Sequence, residues 1–341
     1  MSQTPPRPPA ERPVPTSADV ARLAGVSRAT VSYVLNDIPA VRISEPTRLR
    51  VRQAAEELAY VPHAAARSLR AGRTRIVLLP TAHIPMGPLY HRFLNELQWA
   101  LRRLDYTVVQ YAGMGMDADE AARAWAELRP VAVVSLGETA LTPHGVDLLK
   151  RSGARAVITL GPHPVPGAHT LAMDQREVGR CAAGHLLERG YRHIGVVVPT
   201  EPGLDMFSGP RLEGVRSAAA GRDVVVEPLS LGQTEESAEA LARQVRERGL
   251  DAVFAYNDEY AMLLMRALQD AGAAVPGDTA VMGADDLLLG RLLRPRLSTV
   301  EIDMTTGQHL AELVDRVVRD PAGPPGHHGL MGARAIPRDS T

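Results

Sequence analysis

Residues 16–36, TSADVARLAGVSRATVSYVLN, have the spacing of two short helices separated by a single glycine, and this constrains the N-terminal part of the chain more than any other feature. Thr16 with Asp19 three residues on is a capping-box spacing, so a helix starts there. Val20, Leu23 and Ala24 give that helix a narrow apolar face. Gly25 supplies the sharp turn required between the helices of a helix-turn-helix. Ser27 is placed to cap the second helix, with Val31, Val34 and Leu35 inward. Arg28, Ala29, Ser32 and Tyr33 then face outward. A recognition helix reads base edges from its N-terminal residues, and a guanidinium such as Arg28 can donate two bonds to a guanine edge. Ala29 offers a methyl contact, Tyr33 reaches a base or a phosphate, and Thr30 and Ser32 have hydroxyls suited to phosphate positioning. A helical hairpin with no partner has the same spacing, so the pattern alone leaves both readings open.

A third helix is expected from Ser44, with Pro46 in its first turn and Leu49, Ala54, Ala55 and Leu58 closing a three-helix core. It stops at Tyr60-Val61-Pro62. Pro62 then opens a short segment, His63–Arg70, too brief to be helical alone in water and expected to order only when held. Ala64, Ala65 and Ala66 leave one side small enough for a second copy. Leu69 at its end is either an apolar wedge for a minor-groove base step or a contact with the next domain.

Charge separates the two ends. Ser17–Arg75 carries ten Arg against five Asp and Glu, a net +5. The whole chain is at −1, which leaves −6 elsewhere. A basic module on an acidic body suits a nucleic-acid partner at one end. Cys181 is the only cysteine, which excludes an intramolecular disulfide and a cysteine metal cage. No apolar run reaches the roughly 18 residues of a membrane span, so no membrane partner is expected. The start, MSQTPPRPPAERPVP, lacks the apolar core of a signal peptide and is expected to be a disordered tail over 1–15 of a cytoplasmic protein.

After Arg73 the pattern alternates. Ile76–Leu79, Val108–Tyr111, Val131–Leu136 and Ala156–Leu160 are apolar runs of strand length, with helical stretches such as Leu89–Leu104 and Ala118–Glu127 between them. The series repeats at Ile194–Val198, Val224–Val226, Ala252–Ala255 and Ala280–Gly283. Continuous apolar runs are strands buried on both faces of a parallel sheet. Two doubly wound sheets in sequence imply two Rossmann-like subdomains with a cleft between them. In such sheets ligands bind beyond the carboxyl ends of the strands. That rule selects Asn257-Asp258, Asp285-Asp286, Asp174 and Arg211, the last expected in a loop. Each has an ordinary alternative as a helix cap or a solvated arginine; four polar groups at strand ends point to a small-molecule site.

The N-terminal run, followed by Tyr60-Val61-Pro62 and Ala66-Arg67-Ser68-Leu69, resembles the LacI/GalR family of bacterial transcription regulators. LERGYRHIGVV, DAVFAYNDEYAMLLMRALQDAG, VPGDTAVMGADDLLLGRLLRPRLSTVEID and IPRDST resemble further blocks of that family. The resemblance implies an all-α helix-turn-helix headpiece over 16–61 and a hinge helix over 62–73. It implies an α/β two-subdomain, periplasmic-binding-protein-like sensor over 74–341, with an N-subdomain near 74–172 and 301–326 and a C-subdomain near 173–300 and 327–341. The expected DNA contacts are Ser27, Arg28, Ala29, Thr30, Ser32, Tyr33, Asn36, His63, Arg67 and Leu69, and the resemblance implies that the last inserts at the centre of a palindromic operator. The resemblance implies effector contacts at Arg211, Asp258 and Asp285; with Asp174 and Asn257 from the strand ends and the ring of Tyr90, these make the expected effector site. The chain departs from the family at Tyr33, where many members have Arg, and in a longer loop at Asp37–Ile43. It departs again at Pro85–His91, where an Asn-Pro-aromatic-aromatic signature is common; only Tyr90 is left there as a stacking ring, so no aromatic sugar platform is expected.

The expected function is a ligand-responsive repressor that binds a double-stranded operator as a homodimer, with no heptad extension for a tetramer. A two-lobed solute-binding protein is the alternative. No G-x-G-x-x-G, Walker A, H-E-x-x-H or G-x-S-x-G follows a strand, so neither catalysis nor a cofactor or metal is expected. His63, His83, His91, His163 and His185 read as surface residues, and His327-His328 as part of an exposed Gly/Pro-rich loop.

Overall fold

The computed structural model describes residues 14–36, 42–61, 73–81, 87–112, 115–136, 141–161, 163–329 and 331–341. The chain divides into two compact units, Met1–Thr74 and Arg75–Thr341.

The first unit contains α1 (Ser17–Ala24), α2 (Arg28–Leu35) and α3 (Glu45–Glu57). Asp19 accepts from the Thr16 backbone N–H at 2.9 Å and the Thr16 hydroxyl at 2.7 Å, which fixes the first turn and holds this carboxyl below its usual range. Gly25 ends α1 at φ 65, a left-handed conformation that glycine adopts without strain. Val20, Ala21, Ala24, Val31, Val34, Val51, Ala54 and Ala55 form the core. Two expected core residues are corrected: Leu23 and Leu49 are 47% and 55% exposed. At 3.6 residues per turn Leu23 stands more than a quarter turn from the centre of the stripe Val20-Ala21-Ala24, and Leu49 lies on the face opposite Val51-Ala54-Ala55. The expected hinge residues, including His63, Arg67 and Leu69, lie outside the described residues, as do residues 37–41, His83, Pro85 and Met86.

The second unit begins with β1 (Ile76–Thr81), α4 (Pro88–Arg103), β2 (Thr107–Ala112), α5 (Ala118–Glu127), β3 (Ala132–Ser135), α6 (Pro143–Arg151), β4 (Ala156–Leu160) and β5 (His169–Ala172). It continues through α7 (Gln175–Glu188), β6 (His193–Pro199), α8 (Asp205–Ala219), β7 (Val225–Leu231), α9 (Glu235–Arg248), β8 (Ala252–Phe254), α10 (Asp258–Asp270), β9 (Ala280–Ala284) and β10 (Ser298–Met304). A last helix, α11 (Gly307–Arg319), precedes β11 (His327–Gly329) and β12 (Met331–Ile336).

These strands make two sheets, ordered β11-β5-β4-β3-β1-β2 and β12-β10-β9-β8-β6-β7. The first is parallel throughout; in the second only β12 runs antiparallel, along β10. The shared order places a topological switch point between β1 and β3 and again between β6 and β8. In the first lobe α4 and α11 cover one face and α5 and α6 the other, around Trp125. In the second, α7 and α8 oppose α9 and α10.

The lobe boundaries fall later than expected. β10 stays in the second sheet to Met304, paired with β12, and His327–Gly329, expected in a loop, pairs with β5 in the first. His328 is half-buried, with its ring stacked 5.7 Å from that of His169. A strand of three residues inside Gly/Pro-rich sequence has no periodicity to betray it. His185 is also corrected: it is buried, with Nε2 2.8 Å from the Thr341 hydroxyl.

Candidate functional site

The chain passes from one lobe to the other after β5, after β10 and after β11, and a cavity of ≈ 280 Å³ lies between the sheets beside the first two passages. Gly87, Leu89, Tyr90 and Phe93 at the start of α4 close it from the first lobe, with Leu136 and Leu160 at the ends of β3 and β4. Met173, Gln175 and Met304 line it from the crossings, and Ile302 from β10. Phe207, Arg211, Gln233, Tyr256, Asn257, Glu259, Tyr260 and Asp285 line it from the second lobe. The site thus lies beyond the carboxyl ends of the strands, as the topology requires.

Arg211 is its buried cation. It stands inside α8, not in a loop, and only 5% of it is exposed. Its Nε donates to Gln175 Oε1 at 2.8 Å, Nη1 donates to the Tyr256 carbonyl oxygen, and Cζ lies 4.7 Å from the centroid of the Tyr256 ring. Those contacts neutralise part of the cost of burying a guanidinium and fix its direction. The helix can approach closely because Gly179 and Gly214 carry no side chain: a Cβ at Gly179 would lie 1.9 Å from the Arg211 carbonyl oxygen, and one at Gly214 2.1 Å from that of Arg176.

Asp285 faces Arg211 from the end of β9. Burial pushes its carboxyl up, the Arg211 charge opposes this, and Glu259 adds to the rise. Asp285 and Asp286 have φ 98 and φ 49, unusual for non-glycine residues. The loop is held by Asp285 N–H to Val300 O at 2.8 Å, by Leu287 N–H to Asp258 Oδ2 at 2.7 Å, and by Arg291 and Arg338 on the Asp286 carboxylate. Strain of this kind persists only where surrounding structure enforces it, and it concentrates at ligand sites.

Of the residues expected at a small-molecule site, Tyr90, Arg211, Asn257 and Asp285 meet in the cavity, and burial pushes the Tyr90 hydroxyl up to about 12. Asp174 and Asp258 do not line it. Asp174 caps α7, accepting from the Arg176 N–H at 3.1 Å, and pairs with Arg180 at 3.0 Å. Asp258 is fully buried; it accepts from the Thr299 hydroxyl at 2.6 Å and supports the Asp285 loop from beneath. In both places the strand-end rule finds the right turn and misses the residue by one: Asp174 folds back on its own helix backbone, and Asp258 is drawn inward by Thr299 and the Leu287 N–H. Gln175 and Glu259 are the neighbours that reach the cleft.

Tyr90, the one ring evident in the sequence, is joined by four others. Tyr90, Phe93, Phe207, Tyr256 and Tyr260 all line the cavity, and the Tyr256 and Tyr260 rings meet edge to face at 5.6 Å. Counting phenylalanines hid this, since two of the chain's three are at the site. Phe207 stands four residues before Arg211 on one helical face, a spacing visible only once 205–219 is read as a helix.

In the first unit Ser27 caps α2: its Oγ accepts from the Thr30 N–H at 3.1 Å and lies 2.9 Å from the Thr30 hydroxyl. Asn36 Nδ2 donates to the Ser32 carbonyl at 2.7 Å. Arg28 and Ala29 are exposed on the first turn of α2, and Tyr33 is half-buried. Among the described residues no group of three or more His, Cys, Asp or Glu could hold a metal ion, and no helix is long and apolar enough to cross a membrane.

Residues 16–63 match the family described as "Bacterial regulatory proteins, lacI family", and residues 183–341 match a "Periplasmic binding protein-like domain". The chain is 31% identical over 304 residues to HTH-type transcriptional regulator GalR of Salmonella typhimurium, covering 85% of each. It is 32% identical over 327 residues to HTH-type transcriptional regulator CelR of Thermobifida fusca, covering 91% of this chain and 94% of that one. A solved structure, "transcriptional regulator CelR-cellobiose complex", superposes with a TM-score of 0.63 at 25% identity over 96% of this chain and 100% of the other.

Proposed function

We propose, for a chain that belongs to the LacI family of bacterial regulatory proteins, that the cleft between the two lobes holds a sugar-sized effector whose occupancy sets the affinity of the helix-turn-helix for a palindromic operator. The chain is a DNA-binding transcriptional regulator. Which molecule commands it is a question for the cleft.

The observation that carries the reading is the pairing of Arg211 and Asp285 against a wall of aromatic rings. A guanidinium and a carboxylate held apart at one end supply a donor and an acceptor for hydroxyl groups, and flat rings cover the apolar faces of a pyranose. The relative CelR is named in a complex with cellobiose, which fits this chemistry. Tyr90 and Phe93 reach the ligand from one lobe, Arg211 and Asp285 from the other. A molecule touching both changes the free energy of lobe closure, and an effect on DNA binding is reciprocal by linkage.

The chain acts as a homodimer in the cytoplasm, each copy contributing one headpiece to a half-site about one helical turn, roughly 34 Å, from the other. A solute-binding protein without a DNA target is disfavoured by the headpiece at residues 16–63. The test is a thermal-shift screen of the purified chain against mono- and disaccharides, followed by DNA binding with each hit. A hit that stabilises the chain and changes its DNA affinity supports the reading. No stabilisation by any sugar removes the sugar from it, and hits without effect on DNA binding remove the coupling.

A further inference from the structure

We propose that the first lobe carries its own contact surface for the DNA backbone, an arginine-lined face at the edge where its strands begin, which seats phosphates flanking the operator. This rests on the DNA-binding reading above. Backbone bonds define the edge: Thr107 N–H donates to Arg75 O at 2.9 Å, Val131 N–H to Ile76 O at 2.8 Å, and Arg155 N–H to Val131 O at 2.8 Å. The starts of β1 to β4 therefore lie side by side, and α4, α5 and α6 end among them.

Arg102, Arg103, Arg123, Arg129 and Arg151 are exposed around this edge, and Arg155 is half-exposed. Arg123, Arg129 and Arg151, with Ser152, frame a groove of ≈ 560 Å³ between α5 and α6, into which Glu127 brings the one acid. Glu120 stands one turn before Arg123 on α5, and further acids near the edge include Asp105, Asp147, Asp315 and Asp320. Arg151 holds Asp147 at 3.1 Å, and Arg319 holds Asp315 at 2.8 Å.

Two facts separate this face from ordinary surface. Outside Ser17–Arg75 the chain sums to −6, so a basic face runs against the charge of its own body. Cations also gather at helix C-termini because of the helix dipole, which accounts for Arg102, Arg103 and Arg151. It also covers Arg155, whose Nη2 donates to the Arg319 carbonyl at the end of α11 at 3.4 Å, but not Arg123 in the middle of α5, while Arg129 lies just past the end of that helix. The six are arginines, whose planar fork matches a phosphate's oxygens bidentately. The occupant is the duplex, because arginine forks complement phosphate oxygens and the same chain carries a DNA-binding unit over residues 16–63.

The experiment uses the full chain and a site it selects from a random duplex pool. That site is presented once in a duplex of roughly two half-sites, about 20 base pairs, and once with flanks extending it to about 60. Wild type should bind the long duplex about tenfold more tightly at low salt, with a log–log salt slope steeper by about 0.9 per added phosphate contact. R123Q/R129Q/R151Q should bind both duplexes as wild type binds the short one, and an unchanged melting temperature would show that it folds. Wild type that treats the two duplexes alike, or a variant that keeps the preference for flanks, overturns the inference and leaves operator binding standing. Failure to select any site overturns both.

Discussion

A Cβ at residue 179 would sit 1.9 Å from the carbonyl oxygen of Arg211, so the absence of a side chain at Gly179 determines where the buried guanidinium can stand. α7 and α8 meet backbone to backbone at this point and at Gly214. Gly179→Ala must push α8 outward, an overpacking that costs about 1–3 kcal/mol or more. The displaced helix carries Phe207 and Arg211 with it. The variant should melt several degrees lower and lose its thermal response to any ligand that stabilises the wild type, while a folded headpiece continues to bind DNA. A ligand response retained at wild-type strength would detach Gly179 from the positioning of the site.

Arg211 and Asp285 also separate ligand binding from DNA binding. Arg211→Leu leaves Gln175 Oε1 and the Tyr256 carbonyl without their donor and Asp285 without its nearby cation. An unpaired buried charge costs several kcal/mol, so the milder Asp285→Asn is the better probe. Asp285→Asn should weaken the effector by about 10- to 100-fold, the range of one charged hydrogen bond. Titration calorimetry against the ligand and anisotropy against DNA, on one preparation, check it. Equal loss of both activities would mean a folding defect.

Asp258 predicts a pH dependence of opposite sign to that of most paired carboxylates. Burial raises it from an ordinary 3.8 to about 7, with hydrogen bonds from Thr299 and Leu287 opposing and the charges of Asp285 and Asp286 adding to the rise. The native chain therefore binds more protons than the unfolded chain between about pH 4 and pH 7, and this group's contribution to stability falls as pH rises through that window. Asp258→Asn removes the titration. The stability of wild type relative to the variant should decline by about 4 kcal/mol from pH 4 to pH 8. A constant difference in denaturant melts across that range would show that Asp258 is ionised throughout.

The apolar runs made the doubly wound lobes legible, because strands buried on both faces need no alternation to be found. What escaped was local. β11 is three residues long, and its pairing with β5 depends on a chain segment more than 150 residues away. The strand-end rule points to Asp174 and Asp258, while Gln175 and Glu259 line the cleft, because side-chain direction at a helix cap is not visible in a sequence. The aromatic wall was missed for a related reason: Phe207, Tyr256 and Tyr260 come from two different helix starts and converge only in three dimensions. In the headpiece, the Thr16–Asp19 pair, Gly25 and Ser27 were read from short-range chemistry, and those contacts are short-range in the fold.

Arg28 is the exposed cation on the first turn of α2, beside Ala29 and clear of the Ser27–Thr30 cap. A guanidinium there can donate two bonds to one guanine, a contact worth about 1–3 kcal/mol of discrimination. Thr30 and Ser32 are engaged locally, so they position the helix and carry little sequence information. Arg28→Ala should weaken a selected site by about 10- to 100-fold and relax the preference at one base pair in each half-site. Its salt slope should change by less than one phosphate's worth, about 0.9, because a base contact releases no counterions. Selection from a random pool with both proteins measures this directly. If the variant recovers the same consensus, base recognition passes to Tyr33 and Ala29; if affinity falls with a large loss of salt slope and no change in consensus, Arg28 holds a phosphate.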